Sequence, residues 1–376
     1  MEPFLHKVAI TGTGVYEPEN VLTNDELTSA FNVYADAQNR QHAAEIEAGK
    51  RRALKHTSSE NIFKTSGIKQ RHIVDKTGIM NPERMAPMIA LRPDDAPSLM
   101  AEMGTAAAES ALQDAGVSAD EVDLVICAAS NMERAYPSIG VEMQDILGAN
   151  GYAFDMNVAC SSATFGIQVA TDLIRTGRVR SALIISPEIC SAHLEWRDRD
   201  CNFIFGDVAT AILLQRQSDA QKDYFEIRST RCETRFSNNI RNNNGFLRRA
   251  HDQMEDRRDM QFMQHGRKVF REVLPIVVTH INAHLDDEGM IADDLSRLWL
   301  HQANAIMNEF IGKSLLKRLP EPSEQPNILQ DFGNTSSAGS IIAFSKFSDD
   351  LSSGDHGLIC SFGAGYSVGS VIVKRV

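Results

Sequence analysis

The segment Asp155-Met-Asn-Val-Ala-Cys160-Ser-Ser-Ala-Thr-Phe-Gly166 sets a thiol where a short strand-like stretch meets small residues that open an amphipathic helix. A cysteine there faces unsatisfied amides and the positive end of the helix dipole, which favour thiolate and are expected to lower its pKa. The chemistry on offer is nucleophilic attack on a carbonyl, and the competing reading is a packed core cysteine. His301-Gln-Ala-Asn304 follows a buried apolar run, which puts an imidazole at a strand end, where α/β folds keep reacting groups. A satisfied structural histidine is the alternative. Asp331-Phe-Gly333-Asn334-Thr-Ser-Ser-Ala338 presents a carboxamide on a glycine-preceded turn, as a donor or as a simple helix cap. Phe362-Gly363-Ala364-Gly365-Tyr366 is a small-residue loop whose backbone amides suit a close approach to a substrate carbonyl.

Short apolar runs rich in β-branched residues supply the elements that must position these groups. Buried strands are expected at Val8–Ile10, Val122–Cys127, Ala182–Ile185, Thr210–Leu214, Leu298–Leu300, Gly357–Cys360 and Ser370–Val373. Helical patterns lie between them, from Ser98 to Ala115 ending at Gly116 and from Phe165 to Arg175 ending at Gly177. Alternating strands and helices make this an α/β protein. The two halves echo each other. Cys160-Ser-Ser-Ala163, its helix and the strand Ala182–Ile185 correspond to Thr335-Ser-Ser-Ala338, a helix to Gly354 and the strand Gly357–Cys360. Duplication places the two turns near a pseudo-twofold axis, so Cys160 and Asn334 are expected to face each other.

Three stretches interrupt the alternation: a charged, helical segment at 32–58, a segment at 79–97 with four Pro and three Met, and an Asn/Arg-rich segment at 238–258. They read either as surface loops or as substrate-cap and partner-docking elements.

The chain has 376 residues with 38 Lys plus Arg against 50 Asp plus Glu, a net charge of −12. A field of that sign disfavours nucleic acid and acidic membrane surfaces as principal partners. The first residues, Met1–Lys7, have no apolar core of signal-peptide length, and no run of 18 apolar residues occurs, so a cytoplasmic protein is expected. Six cysteines (127, 160, 190, 201, 232 and 360) lack Cys-x-x-Cys spacing and are expected to be reduced thiols, with no metal site. His280 and His284 have helical i,i+4 spacing but no glutamate after His280, and surface histidines are expected.

Taken together, Val-Ala-Cys160-Ser-Ser, His301-Gln-Ala-Asn304, Gly333-Asn334-Thr-Ser-Ser and Phe362-Gly-Ala-Gly-Tyr366 resemble the thiolase superfamily, and within it β-ketoacyl-acyl-carrier-protein synthase III. Gly67-Ile-Lys-Gln-Arg-His72-Ile73, Ala135-Tyr-Pro-Ser138 and Phe205-Gly-Asp207-Val-Ala209 support it. The resemblance covers nearly the whole chain outside the inserts. It implies a duplicated, five-layered α-β-α-β-α fold, divided into residues 1–216, with Cys160 and the inserts 32–58 and 79–97, and residues 217–376, with His301, Asn334 and the glycine loop 363–365. It implies that Cys160 takes an acyl group from an acyl thioester, with medium-chain acyl-CoA expected from the apolar insert 79–97. His301 and Asn334 then bind the thioester oxygen of malonyl-acyl-carrier protein as it loses carbon dioxide, and the enolate attacks acyl-Cys160. The backbone amides of Cys160 and Ala364 would form the oxyanion hole.

By the same resemblance Tyr136, Phe362, Gly363, Gly365 and Lys313 are substrate-binding, with Tyr136 bordering the neighbour's acyl pocket in a homodimer. No cofactor or metal is implied. Carrier protein, which is acidic, is expected to dock on Arg257, Arg258, Arg267, Lys268, Arg271, Lys313 and Lys317. Three positions depart from the family pattern: Asn61 for an adenine-stacking tryptophan, Thr65 for a phosphate-binding arginine, and Ile306 for a carrier-binding arginine; Lys64 and Lys313 remain to meet phosphates. A degradative thiolase needs a second catalytic cysteine where Ser361 stands, and Cys360 is expected to face away. A secondary-metabolism acyltransferase or ketosynthase of the same fold shares every motif, and a non-catalytic acyl-binding protein would have lost the triad.

Overall fold

The computed structural model describes residues 5–251 and 257–376. Its main sheet has nine strands: β1 (Val8–Tyr16), β2 (Leu124–Ala128), β3 (Tyr152–Met156), β4 (Ser181–Ile189), β5 (Asp207–Arg216), β6 (Phe225–Thr234), β7 (Leu295–Leu300), β8 (His356–Gly363) and β9 (Ser367–Arg375). Their spatial order is β7-β8-β9-β6-β1-β5-β4-β2-β3. The principal helices are α1 (Asn24–Gln41), α2 (Leu99–Ala115), α3 (Ile139–Leu147), α4 (Ser162–Arg175), α5 (Gly266–Asp287), α6 (Ala305–Leu316) and α7 (Gly339–Lys346).

The internal echo is visible in the pairing. β2 runs parallel to β4, β4 antiparallel to β5 and β5 antiparallel to β1. β7, β8, β9 and β6 repeat that sequence of directions. The two sets meet only through Ala9 opposite Glu226 and Ile10 opposite Phe225.

Alternation along these strands sorts side chains into layers. Leu124, Ile126 and Ala128 of β2 face inward with Ile359 of β8 and Val371 of β9, enclosing α4 and α7 in one apolar cluster. Val125 and Cys127 face outward onto α2. Leu358, Cys360 and Ile372 face outward onto α5 and α6. The layers are therefore helix, sheet, helix, sheet, helix. In the inner layer Trp299 packs edge-on to Phe344 with centroids 4.8 Å apart, and its indole donates to the Phe347 carbonyl at 2.9 Å.

All seven strands expected from apolar runs are present. Two strands of the main sheet were missed, β3 and β6, because both are only partly buried and so carry no continuous apolar run. The short pairs Asn20–Thr23 with Gln70–Ile73 and Ile240–Arg241 with Met263–Gln264 were missed as well. The helix α2 has the expected ends: Ser98 accepts from the Ala101 amide, and Gly116 closes the helix at φ 72. The second-half helix stops at Lys346 rather than reaching Gly354. In the position that β3 holds before Cys160, the second half has a short helix, Leu329–Phe332.

The insert at 32–58 continues α1, whose start is fixed by a Thr23/Glu26 capping box, into a short helix Ala43–Glu47 and then irregular chain. Residues 252–256 of the Asn/Arg-rich stretch lie outside the described residues.

His280 and His284 are buried, at 1% and 2% exposure, and not on the surface. Both hydrogen-bond the Ser370 hydroxyl, at 2.9 and 2.7 Å, and His284 also meets Ser229 at 3.0 Å. The i,i+4 spacing set them on one face of α5, and that face turned out to be the one against the sheet.

Candidate active site

Cys160 sits in the turn between β3 and α4. Ala159 just before it has a left-handed φ of 49, which turns the chain sharply enough to lift the thiol out of the strand line. Ser336 and Tyr366, in the other two site turns, are also left-handed, at φ 52 and 41. Such backbone costs about 1–3 kcal/mol per residue and persists where the surrounding structure enforces it. The concentration of these turns around one point marks the site independently of its side chains.

Each partner arrives on its own element. His301 prolongs β7, its amide donating to the Cys360 carbonyl at 2.7 Å, and its ring lies edge-on to Phe362 with centroids 5.1 Å apart. Asn334 is set by Gly333, whose φ of 64 and ψ of −160 suit only glycine, and by backbone bonds to Ile204 and Gly206. Its Oδ1 accepts from the Ser336 amide at 2.9 Å, so the NH₂ group is the one left to donate. Gly363 must be glycine for space: a Cβ there would lie 2.6 Å from the Cys160 Cβ.

Cys160, His301, Asn334, Phe205, Phe362 and Gly363 line one cavity of about 300 Å³. Its walls toward solvent are apolar, with the half-exposed Phe270 and Ile306 beside Thr65 and Asn304. Among the described residues no charged side chain lines it.

Electrostatics correct one expectation. Burial pushes the Cys160 thiol up to about 11, and the charge of Glu188 adds to the rise. The Ser336 hydroxyl, 3.4 Å from the sulfur, and the backbone amides of Cys160 and Ala364 pull the other way without prevailing. The helix-end effect is local and modest, whereas desolvation acts on the whole thiolate. Burial likewise lowers the His301 imidazole to about 4, and its Nδ1 is buried without a protein partner. At neutral pH a neutral thiol faces a neutral imidazole, which can donate a hydrogen bond to a developing oxyanion without first losing a proton.

The structure brings together Cys160, His301, Asn334, Phe362 and Gly363, and turns the Ala364 amide toward the sulfur. It does not bring in Lys313, which is exposed on α6, or Gly365, which turns away in the loop at φ 67. Tyr136 is 85% exposed and outside the cavity within one chain. Cys360 faces the outer helices, as alternation requires, while Ser361 bonds Ser340 at 2.8 Å.

The insert 79–97 lines a second cavity of about 910 Å³ with Met132, Ile189 and His193, rather than the Cys160 cavity. Met85 is buried among Leu22, Phe31 and Trp196, while Met88, Ile89 and Leu91 are exposed. Of the expected docking cations, Arg257 pairs with Asp259 and Arg258 with Asp198. Sequence reasoning missed the Ser336 hydroxyl, the Phe205 wall and Glu188.

A thiol, an imidazole and a carboxamide converging from the two halves of a duplicated α/β unit, with backbone amides on the sulfur, form an arrangement suited to thiolase-type acyl transfer. The two stretches 154–234 and 285–375 match 3-oxoacyl-[acyl-carrier-protein] synthase III and its C-terminal part. The chain is 52% identical to the β-ketodecanoyl-[acyl-carrier-protein] synthase of Pseudomonas aeruginosa, over 92% of this chain and 99% of that protein. It is 30% identical to the β-ketoacyl-[acyl-carrier-protein] synthase III of Acidiphilium cryptum, over 98% of this chain and all of that one. The crystal structure of 3-oxoacyl-[acyl-carrier-protein] synthase III from Aquifex aeolicus superposes with a TM-score of 0.76 at 25% identity, over 98% and 99% of the two chains. This chain belongs to the 3-oxoacyl-[acyl-carrier-protein] synthase III family. It is a condensing acyltransferase.

Proposed function

We propose that the protein joins a medium-chain acyl group, carried by coenzyme A, to the two-carbon unit of malonyl-acyl-carrier protein in fatty acid biosynthesis. The observation that carries this is the convergence of Cys160, His301 and Asn334 on one apolar cavity with the Ala364 amide on the sulfur. Chain length follows from the 52% identical relative: a ten-carbon β-ketoacyl product less the two carbons that malonyl retains leaves an eight-carbon primer.

The steps balance as follows. The Cys160 sulfur attacks the acyl thioester carbonyl, and the coenzyme A thiol departs with the cysteine's proton. His301 and Asn334 donate to the thioester oxygen of the malonyl unit; as carbon dioxide leaves, its electron pair moves into an enolate that those bonds stabilise. The enolate carbon attacks acyl-Cys160. The amides of Cys160 and Ala364 hold the tetrahedral oxyanion, which collapses to β-ketoacyl-carrier protein and expels the Cys160 thiolate; that thiolate takes one proton from solvent to return to the thiol. Phe362 and Gly363 bound the reacting centre.

Residues 1–216 and 217–376 are read as the two halves of the duplication. A homodimer is supported by β3, a sheet-edge strand with no neighbour beyond it among the described residues, and by exposed Tyr136, Val141 and Tyr152 beside it. A cytoplasmic setting suits six free thiols. Among the described residues no helix is long and apolar enough to cross a membrane. Carrier docking is assigned to Arg267, Lys268 and Arg271, exposed or partly exposed on the first turns of α5, with Lys313 and Lys317 on and just after α6.

Purified protein supplied with malonyl-acyl-carrier protein and acyl-coenzyme A of two to fourteen carbons tests the reading. The highest kcat/KM is expected near eight carbons. A clear preference for acetyl-coenzyme A would contradict it.

A further inference from the structure

Glu188, near the end of β4, is 1% exposed and has no cation paired with it among the described residues. Its carboxylate is instead surrounded by donors from both halves of the molecule. Oε1 accepts from the Ser130 amide at 3.0 Å, the Ser337 amide at 3.2 Å and the Ser337 hydroxyl at 2.5 Å. Oε2 accepts from the Ser130 hydroxyl at 2.5 Å and lies 3.9 Å from the Cys190 sulfur. Two of these groups are backbone amides, which only donate; burial raises the carboxyl above its ordinary range, and the Ser130 and Ser337 donors work against that rise. Ser130 follows β2 in the first half, and Ser337 follows Asn334 in the second.

Ser337 is adjacent to Ser336, whose hydroxyl meets the Cys160 sulfur and whose amide fixes Asn334. Asp207 on the neighbouring strand is spent on Ser191 and Val74, and both it and Glu188 act on Cys190, which is a buried thiol. His301 is neutral, and no lysine or arginine lines the cavity.

We propose that Glu188 is a positioning residue for the site: its carboxylate staples the Ser130 turn to the Ser337 turn, and so holds the adjacent Ser336 with its hydroxyl on the Cys160 sulfur and its amide on Asn334. The proposal rests on Cys160 being the acylated residue.

The test is the pH dependence of Cys160 alkylation by iodoacetamide, read by peptide mass, which needs no turnover and so separates failure of this proposal from failure of the functional reading. Glu188→Gln keeps the side chain's shape and three of its acceptor contacts at Oε1 but removes the charge. With those contacts kept, its alkylation midpoint and kcat are expected to stay close to wild type. Glu188→Asp keeps the charge but is one methylene short of spanning both turns. Its alkylation midpoint is expected to rise, as the Ser336 hydroxyl is drawn off the sulfur, and kcat for condensation to fall about tenfold with KM little changed. An unaltered midpoint and kcat in Glu188→Asp overturn the positioning role, and this variant decides the matter alone if Glu188→Gln does not fold.

Discussion

The Ser336 hydroxyl lies 3.4 Å from the Cys160 sulfur, although 176 residues of chain separate the two. It stabilises the thiolate in a pocket that otherwise opposes it, since burial and Glu188 both raise the thiol. Ser336→Ala is expected to move the alkylation midpoint of Cys160 upward and to slow alkylation at neutral pH about fivefold, the worth of one ordinary hydrogen bond. Pseudo-first-order alkylation rates across pH 8 to 12 measure it, and a downward shift would contradict the assignment.

Gly363→Ala puts a methyl group 2.6 Å from the Cys160 Cβ and 3.1 Å from its sulfur. Neither neighbour is the far end of a flexible chain, so the thiol or the loop carrying the Ala364 amide must shift. Acylation of Cys160 should slow about a hundredfold, with a folded protein by circular dichroism. Wild-type acylation in this variant would show that the loop does not set the geometry.

The half-reactions should separate. His301→Ala and Asn334→Ala are each expected to accept an acyl group on Cys160 yet release carbon dioxide from malonyl-carrier protein about 100 to 1000-fold more slowly. The double variant should be little worse than either, because both donors serve one oxygen. A His301→Ala enzyme that decarboxylates normally but cannot be acylated would assign the histidine to the thiol instead.

His284, lowered to about 4 by burial with His280 and Arg231 adding to the fall, is neutral in the folded protein and titrates near 6.5 when unfolded. The unfolded state therefore binds more protons between pH 6.5 and 4, so the stability this residue contributes is present above pH 6.5 and is lost as pH falls toward 4. The loss is on the order of 2 kcal/mol. Thermal melts from pH 7.5 to 4.5 should show a falling Tm, blunted in His284→Gln. Identical slopes for the two proteins would contradict this.

The parts of the site legible in the sequence were those with a local signature. Cys160, Asn334 and Gly363 each lie in a turn whose small residues mark it, and His301 follows a strand that its apolar run reveals. What the sequence could not show was which side chains from distant segments meet. Glu188 reads as the polar end of a strand until Ser130 and Ser337, 58 and 149 residues away, are seen on its oxygens. The direction of the Cys160 shift failed for the same reason: a helix end is visible locally, but the desolvation that outweighs it comes from the whole fold. The insert 79–97 was read by its apolar content, yet content does not say which of two cavities a loop will line.

Whether Cys160 carries the acyl group is decided by intact-protein mass spectrometry after mixing with octanoyl-coenzyme A, in the absence of malonyl-carrier protein. One added octanoyl mass is expected on the wild-type chain, located to Cys160, lost on addition of malonyl-carrier protein and absent in Cys160→Ala. An octanoyl adduct of equal amount on Cys160→Ala, or none on the wild type, would contradict acylation of Cys160.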